Sequence, residues 1–157
     1  MTEEPRKMKV GDDAKEFTLK NQNGEEISLS KLKGKRIMLS FHPLAWTGIC
    51  AGQMKSLEEN REAFESLNTK AFGVSIDSVP SKKAWAESLG IENISLLADF
   101  WPFGEVARSY DVFRNENGFS ERVNIVLDEN QKIVFFKLYP LKELPDIHEI
   151  IDFLKTL

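Results

Sequence analysis

Cys50, the only cysteine of the chain, stands three residues after Thr47 and seven after Pro43 in the stretch FHPLAWTGIC. The thiolate, not the thiol, is the reactive form of cysteine, so its surroundings decide whether it does chemistry. Before it runs RIMLSF, a short apolar segment of the kind found in strands covered on both faces. After it, Met54, Leu57, Phe64 and Leu67 fall at helical spacings with Glu58, Glu59, Arg61 and Glu62 on the other faces, which predicts an amphipathic helix from Cys50 to Leu67. The thiol therefore falls where a buried strand gives way to a helix. Backbone N–H groups without intrahelical partners and the helix dipole favour an anion there.

That position alone does not make a reactive thiol, because free cysteine is among the most buried residue types and commonly packs as a small hydrophobe. Lowering a thiol's pKa from about 8.5 to about 6 takes roughly 3.4 kcal/mol. A helix terminus supplies about 0.3 to 1 kcal/mol, and roughly 2 at best. A fixed cation is needed as well, and arginine suits because it stays charged and presents a rigid fork. Thr47 has two candidate jobs: capping the helix through its side-chain oxygen, or exchanging hydrogen bonds with a bound substrate oxygen. Pro43 ends the strand, having no N–H, and can shield the thiol from water.

The elements that must position these residues are legible along the chain. EFTLKNQNGEEISLSKLKGK reads as a hairpin, with Phe17 and Leu19, then Ile27 and Leu29, alternating around the turn residues NQNG. KAFGVSID follows as a second buried strand and SVPSKKAWAESLG as a helix, with proline near its start and Gly90 past its end. ISLLAD predicts a strand, GEVARSYDV a short helix, and RVNIVLD with KIVFFKLY a second hairpin. PDIHEIIDFLKTL closes the chain as a helix with Ile147, Ile150, Ile151, Leu154 and Leu157 on one stripe. This order predicts an α/β sandwich: a mixed sheet flanked by helices, with an N-terminal β-hairpin.

At 157 residues the chain fits one domain, residues 1–157, with residues 1–8 as a flexible tail. The net charge of −4 and the lack of a basic block argue against nucleic acid as a partner. No segment is long and apolar enough for a signal peptide or a membrane span, which predicts a soluble, cytoplasmic protein without membrane contact. One cysteine allows no internal disulfide, so any disulfide forms with another molecule. One cysteine and two distant histidines, His42 and His148, have no ligand spacing, so neither a metal nor a cofactor is expected.

The spacing P-x-x-x-T-x-x-C of Pro43, Thr47 and Cys50 resembles that of the peroxiredoxins, the alkyl hydroperoxide reductase/thiol-specific antioxidant type. The similarity extends over most of the chain, through VGDDAKEFTLKNQNGEEISLSKLKGK, FGVSIDS, LLAD, VARSYDV and RVNIVLDENQKIV. It implies a thioredoxin-like sandwich fold and a thiol-dependent peroxidase that reduces hydrogen peroxide and organic hydroperoxides. By the same resemblance Cys50 attacks the O–O bond and becomes a sulfenic acid. Arg122, opening RVNIVLD, matches the arginine that contacts the thiolate; nothing in the sequence alone separates it from a solvated charge at a strand end. Thr47, Arg122 and the Cys50 N–H are the implied donors to the transition state, and Pro43 the shield.

Several positions depart from the family pattern. Lys55 stands where one subgroup has its resolving cysteine, so the chain resembles a one-cysteine member whose reductant is external, a small thiol or a thioredoxin- or glutaredoxin-type protein. Trp46 stands where phenylalanine is frequent and Gly48 where proline is common. His42 either lines the site or is structural, and Gln53, one helical turn on, is placed to orient Arg122. Relatives are commonly homodimers, with Trp85 and Trp101 as aromatics suited either to an interface or to the core. Three other readings compete. A thioredoxin-like disulfide oxidoreductase needs C-x-x-C, and CAGQ lacks the second thiol; a cysteine hydrolase needs a base from His42 or His148; a non-catalytic redox-sensing or scaffold domain would merely pack Cys50.

Overall fold

The computed structural model of the chain describes residues 8–157. The alternating residues of the N-terminal hairpin form β1 (Thr18–Lys20) and β2 (Glu26–Ser28), paired antiparallel as Leu19 with Ile27. RIMLSF is β3 (Arg36–Phe41), with five of its six residues buried. The predicted single helix after Cys50 is two helices, α1 (Gly48–Glu59) and α2 (Arg61–Ser66). The break lies at Asn60, whose backbone leaves the helical region at φ −104°, ψ 14° and whose side-chain amide donates to Ser56 O at 2.8 Å. A short polar side chain that bonds back to the preceding turn competes with the helix, and hydrophobic spacing carries no sign of that. β4 (Thr69–Ser75), α3 (Val79–Leu89), β5 (Ser95–Ala98) and α4 (Glu105–Ser109) follow. Ser78 caps α3 and Gly90, at φ 71°, ends it.

A two-stranded ribbon, β6 (Phe113–Arg114) and β7 (Phe119–Ser120), comes next and has no counterpart in the sequence pattern, its strands being too short to show alternation. β8 (Arg122–Leu127), β9 (Ile133–Tyr139) and α5 (Ile147–Lys155) complete the fold. Leu157 lies beyond α5 and is exposed, so the apolar stripe ends at Leu154. Of the expected tail, residues 1–7 lie outside the described residues; Met8 is buried, its N–H bonded to Asp111 Oδ2 at 3.0 Å.

Seven strands form one mixed sheet in the order β2-β1-β5-β4-β3-β8-β9, with β3, β4 and β5 parallel to one another. Side chains alternate between its faces, so the parity of a strand residue states which layer it meets. Ile37, Leu39, Phe41, Val123 and Ile125 point into a core shared with Phe17, Val106 and Tyr110. Met38 and Val126 point the other way, against Met54 and Leu57 of α1, Phe64 of α2, Trp85 of α3 and Ile150 of α5. Ser40, Arg122 and Asn124 share that second parity and so lie beneath α1. α1 sits close to the sheet: a Cβ on Gly73 would come within 2.2 Å of Met54 Sδ. Of the two tryptophans considered for an interface, Trp85 is core and Trp101 is exposed. Among the described residues, no helix is long and apolar enough to cross a membrane.

Candidate active site

β3 delivers its chain to the segment from His42 to Thr47, which turns back to start α1. Trp46 adopts φ 68°, a left-handed conformation that costs a non-glycine residue strain and is held here by neighbours. Asp77 Oδ2 accepts the Ala45 N–H at 2.8 Å and the Ser75 hydroxyl at 2.6 Å, and Trp46 Nε1 donates to Ser81 Oγ at 3.1 Å. Thr47 occupies the N-cap position of α1, yet its hydroxyl makes no capping bond. It donates to Leu44 O at 2.9 Å from an exposed position, which leaves its oxygen lone pairs free. Cys50 is the third residue of α1, within the turn whose N–H groups lack helical acceptors.

Above Cys50 lies a hollow of about 320 Å³, walled by Pro43, Leu44, Thr47, Ile49, Phe119 and Leu141. Cys50 and Arg122 also border it, although Cys50 is 0% exposed. Arg122, 3% exposed, places Nη1 3.4 Å from Cys50 Sγ. Its remaining donors hold it in that place: Nε and Nη2 to Leu141 O at 3.2 and 2.8 Å, and Nη1 to Gln53 Oε1 at 2.6 Å. Among the described residues, no carboxylate forms an ion pair with this guanidinium. The neutral amide of Gln53 orients the fork without cancelling its charge, so that charge is left for the sulfur.

Gln53 is fixed in turn, because Nε2 donates to Ser40 Oγ at 2.6 Å and Phe41 O at 3.2 Å, which directs Oε1 at Arg122. Ser40 Oγ donates to Asn124 Oδ1 at 2.7 Å, the two residues being register partners of β3 and β8. Asn124 reaches the Tyr139 hydroxyl at 3.5 Å, and that hydroxyl donates to Glu149 Oε1 at 2.6 Å. A polar row thus runs beneath α1 from the sulfur to the terminal helix. Ser40, Asn124 and Tyr139 were not selected from the sequence, since each looks like an ordinary strand residue until the register aligns them.

His42 does not line the hollow. It is fully buried, with Nδ1 3.5 Å from Ser40 O, Nε2 unpartnered and its ring tilted on Trp85 at 5.4 Å. Burial first, and the charge of Lys82 second, push its pKa well below 6.5, so it stays neutral at physiological pH. Lys82 on α3 is also fully buried, with Nζ unpartnered, and burial holds its pKa down to about 7 against the opposing charges of Asp77, Cys50 and Asp99. The sequence hid it in the pair Lys82-Lys83; the available signal was its place three residues before Trp85, on the helix's apolar face.

The unfolded amine titrates near 10.5, so between about pH 7 and 10.5 the unfolded chain binds more protons at this site and stability rises with pH. We expect urea midpoints of the wild type and Lys82→Met to lie furthest apart at pH 7 and below, with the variant higher, and to converge by pH 10. A gap independent of pH would contradict this.

Residues 10–136 match the model of the AhpC/TSA family, well over half of the chain. The chain belongs to the AhpC/TSA family. Among its curated relatives, alkyl hydroperoxide reductase E of Mycobacterium tuberculosis is 36% identical over 140 residues, 88% of this chain and 91% of the relative. A peroxiredoxin of Thermoplasma volcanium is 33% identical over 153 residues, 94% of this chain and 74% of the relative. The crystal structure of reduced Plasmodium vivax 2-Cys peroxiredoxin superposes with a TM-score of 0.84 at 25% identity, covering 93% of this chain and 80% of that one. The thioredoxin-like sandwich and N-terminal hairpin expected of an AhpC/TSA chain are those observed. This member has a single cysteine, and it lies beside Arg122.

Proposed function

We propose that this one-cysteine peroxiredoxin is a thiol-dependent peroxidase with Cys50 as its peroxide-reactive group. The contact that carries the reading is Arg122 Nη1 at 3.4 Å from Cys50 Sγ, under a hollow open to solvent. The guanidinium and the first turn of α1 favour the anionic sulfur. The thiolate attacks one peroxide oxygen, an S–O bond forms as the O–O bond breaks, and the electron pair departs on the second oxygen, which takes up a proton. Charge moves outward along that line, so donors held in place beside it favour the transition state over bound peroxide. Arg122 is one such donor, and the Cys50 N–H is the second. Thr47 Oγ1, already donating to Leu44 O, is free to accept a peroxide hydrogen at the rim. Pro43 and the apolar wall limit water, and Gln53 positions Arg122.

The sulfenic acid has no second cysteine in the chain to condense with. An external thiol therefore forms a mixed disulfide with Cys50 and releases water, and a second thiol regenerates the Cys50 thiol. Mixing the reduced protein with one equivalent of hydrogen peroxide should consume it in one turnover and leave a sulfenic acid on Cys50, trapped by dimedone and located by mass spectrometry. Further turnover should require added thiol. A protein that consumes no peroxide and yields no dimedone adduct would overturn the assignment.

A further inference from the structure

The two ends of the polar row beneath α1 differ in kind: a guanidinium can only donate and an ionised carboxylate can only accept. Arg122 Nη1 donates to Gln53 Oε1 at one end, and at the other Glu149 Oε1 takes the Tyr139 hydroxyl proton at 2.6 Å. That hydroxyl has one proton, so toward Asn124 it can only accept, and it meets Nδ2 at 3.5 Å. Asn124 Oδ1 is thereby turned to Ser40, whose own single proton it accepts at 2.7 Å. Ser40 Oγ is left to accept from Gln53 Nε2 at 2.6 Å, and Gln53 Oε1 is left for Arg122. All five bonds donate in one direction, from the guanidinium to the carboxylate.

Glu149 is half-buried on α5, and Lys137 Nζ of β9 donates to its other oxygen at 2.6 Å. Against the effect of burial, the bonds from Lys137 and Tyr139 hold its carboxyl below the ordinary range; Asp146 is the other charge that acts on it. Burial, and then the bond to Glu149, push the Tyr139 phenol above its ordinary range, so it keeps its proton. Without the carboxylate, that proton has one remaining acceptor in the row, Asn124. The amide then turns over to present Oδ1 to Tyr139, and its Nδ2 faces Ser40. Ser40 Oγ is fully buried and already accepts from Gln53, so its own proton is left without a partner, and a half-satisfied buried network is costly. Gln53 keeps its longer bond to Phe41 O at 3.2 Å, and its hold on Arg122 slackens.

We propose that Glu149 on the terminal helix is a positioning residue for the thiolate site: by holding the Tyr139 proton outward it fixes the direction of the row, and through Asn124, Ser40 and Gln53 the place of Arg122. This rests on Cys50 being the reactive group. Glu149 does not border the hollow, so it acts on peroxide reduction only through the residues between.

The test measures thiolate absorbance against pH, and the peroxide rate constant, in the wild type, Glu149→Met, Tyr139→Phe, the double variant and Lys137→Met. Methionine fills the place of Glu149 without an acceptor. In Glu149→Met the thiolate midpoint should rise by about 0.7 of a pH unit and the rate below the midpoint fall about fivefold, the scale of one hydrogen bond. Loss of a negative charge on its own would favour the thiolate and lower the midpoint, so the sign separates the row from simple charge. Lys137→Met, which keeps the acceptor, should leave both where they are. Tyr139→Phe removes the proton that turns Asn124 over, so in that background Glu149→Met should change nothing. A midpoint that stays or falls in folded Glu149→Met overturns the proposal, as does an undiminished rise from Tyr139→Phe to the double variant. A wild type inert to peroxide overturns the peroxidase reading instead, and the absorbance midpoints still decide the role of Glu149.

Should Glu149→Met not fold, Ser40→Ala decides. It cuts the row beside Gln53 with Glu149 in place, and should raise the midpoint likewise. An unchanged midpoint would show that Gln53 is held without the row and end the proposal.

Discussion

Serine in place of Cys50 is expected to remove peroxide reduction altogether while leaving the fold in place. Thiolate chemistry depends on an anion present near neutral pH, and a serine hydroxyl is a weak nucleophile without an adjacent general base. His42 is buried and makes its one polar approach to Ser40 O, and neither histidine lines the hollow over Cys50. The hydroxyl fits the space and can accept from Arg122, so the buried oxygen is not left unpaired. Stability within about 1 kcal/mol of the wild type is expected, on the scale of one hydrogen bond exchanged for another. Peroxide followed over single and multiple turnovers, with urea unfolding alongside, checks both parts. Consumption above background by Cys50→Ser would place the chemistry elsewhere in the chain.

The second large effect is at Arg122, where alanine should slow the reaction with peroxide by about 10² to 10³, the cost found for removing one donor from a developing anion. Here the side chain is structural as well. Its loss leaves Gln53 Oε1 without its donor in a buried place, an orphan that costs about 1 to 3 kcal/mol, while Leu141 O, at the wall of the hollow, loses a part-buried bond. A fall in stability of about 1 to 3 kcal/mol should therefore accompany the slower rate. Arg122→Lys separates the two contributions: an ammonium keeps the charge but cannot span Leu141 O, Gln53 and the sulfur at once. It should recover part of the rate and little of the geometry. Stopped-flow rates at neutral pH and urea midpoints for the pair of variants measure this, and a rate for Arg122→Ala within threefold of the wild type would take Arg122 out of the site.

Local chemistry made the hairpin, the buried strands, the Ser78 and Gly90 boundaries of α3 and the terminal helix legible from the sequence, because each is announced by spacing or by a residue with one preferred backbone conformation. The break at Asn60 was hidden, since a polar residue on a helix surface reads the same whether its side chain faces water or bonds back to Ser56. The strand-to-helix junction at Cys50 was readable for the same local reason as α3. Arg122 was reached only through family resemblance. Its approach to Cys50 joins residues 72 apart in the chain, a distance no periodicity spans. The same holds for Ser40, Asn124 and Tyr139, which become one row only through the pairing of β3, β8 and β9, whereas Gln53 is legible from its place one turn into α1. Lys82 is the least legible of all, because a Lys-Lys pair in a helix suggests a wet face and only its spacing from Trp85 says otherwise.

Cys50 offers no accessible surface at rest, and the loop over it is latched by Trp46 to Ser81 and by Ala45 to Asp77. A maleimide or an iodoacetamide, both bulkier than a peroxide, must reach the sulfur through the hollow walled by Pro43, Leu44, Thr47, Ile49, Phe119 and Leu141. Alkylation in this protein should therefore sort reagents by girth: the bulkier of two reagents matched in reactivity towards free cysteine should fall further behind on the folded protein than on the unfolded chain.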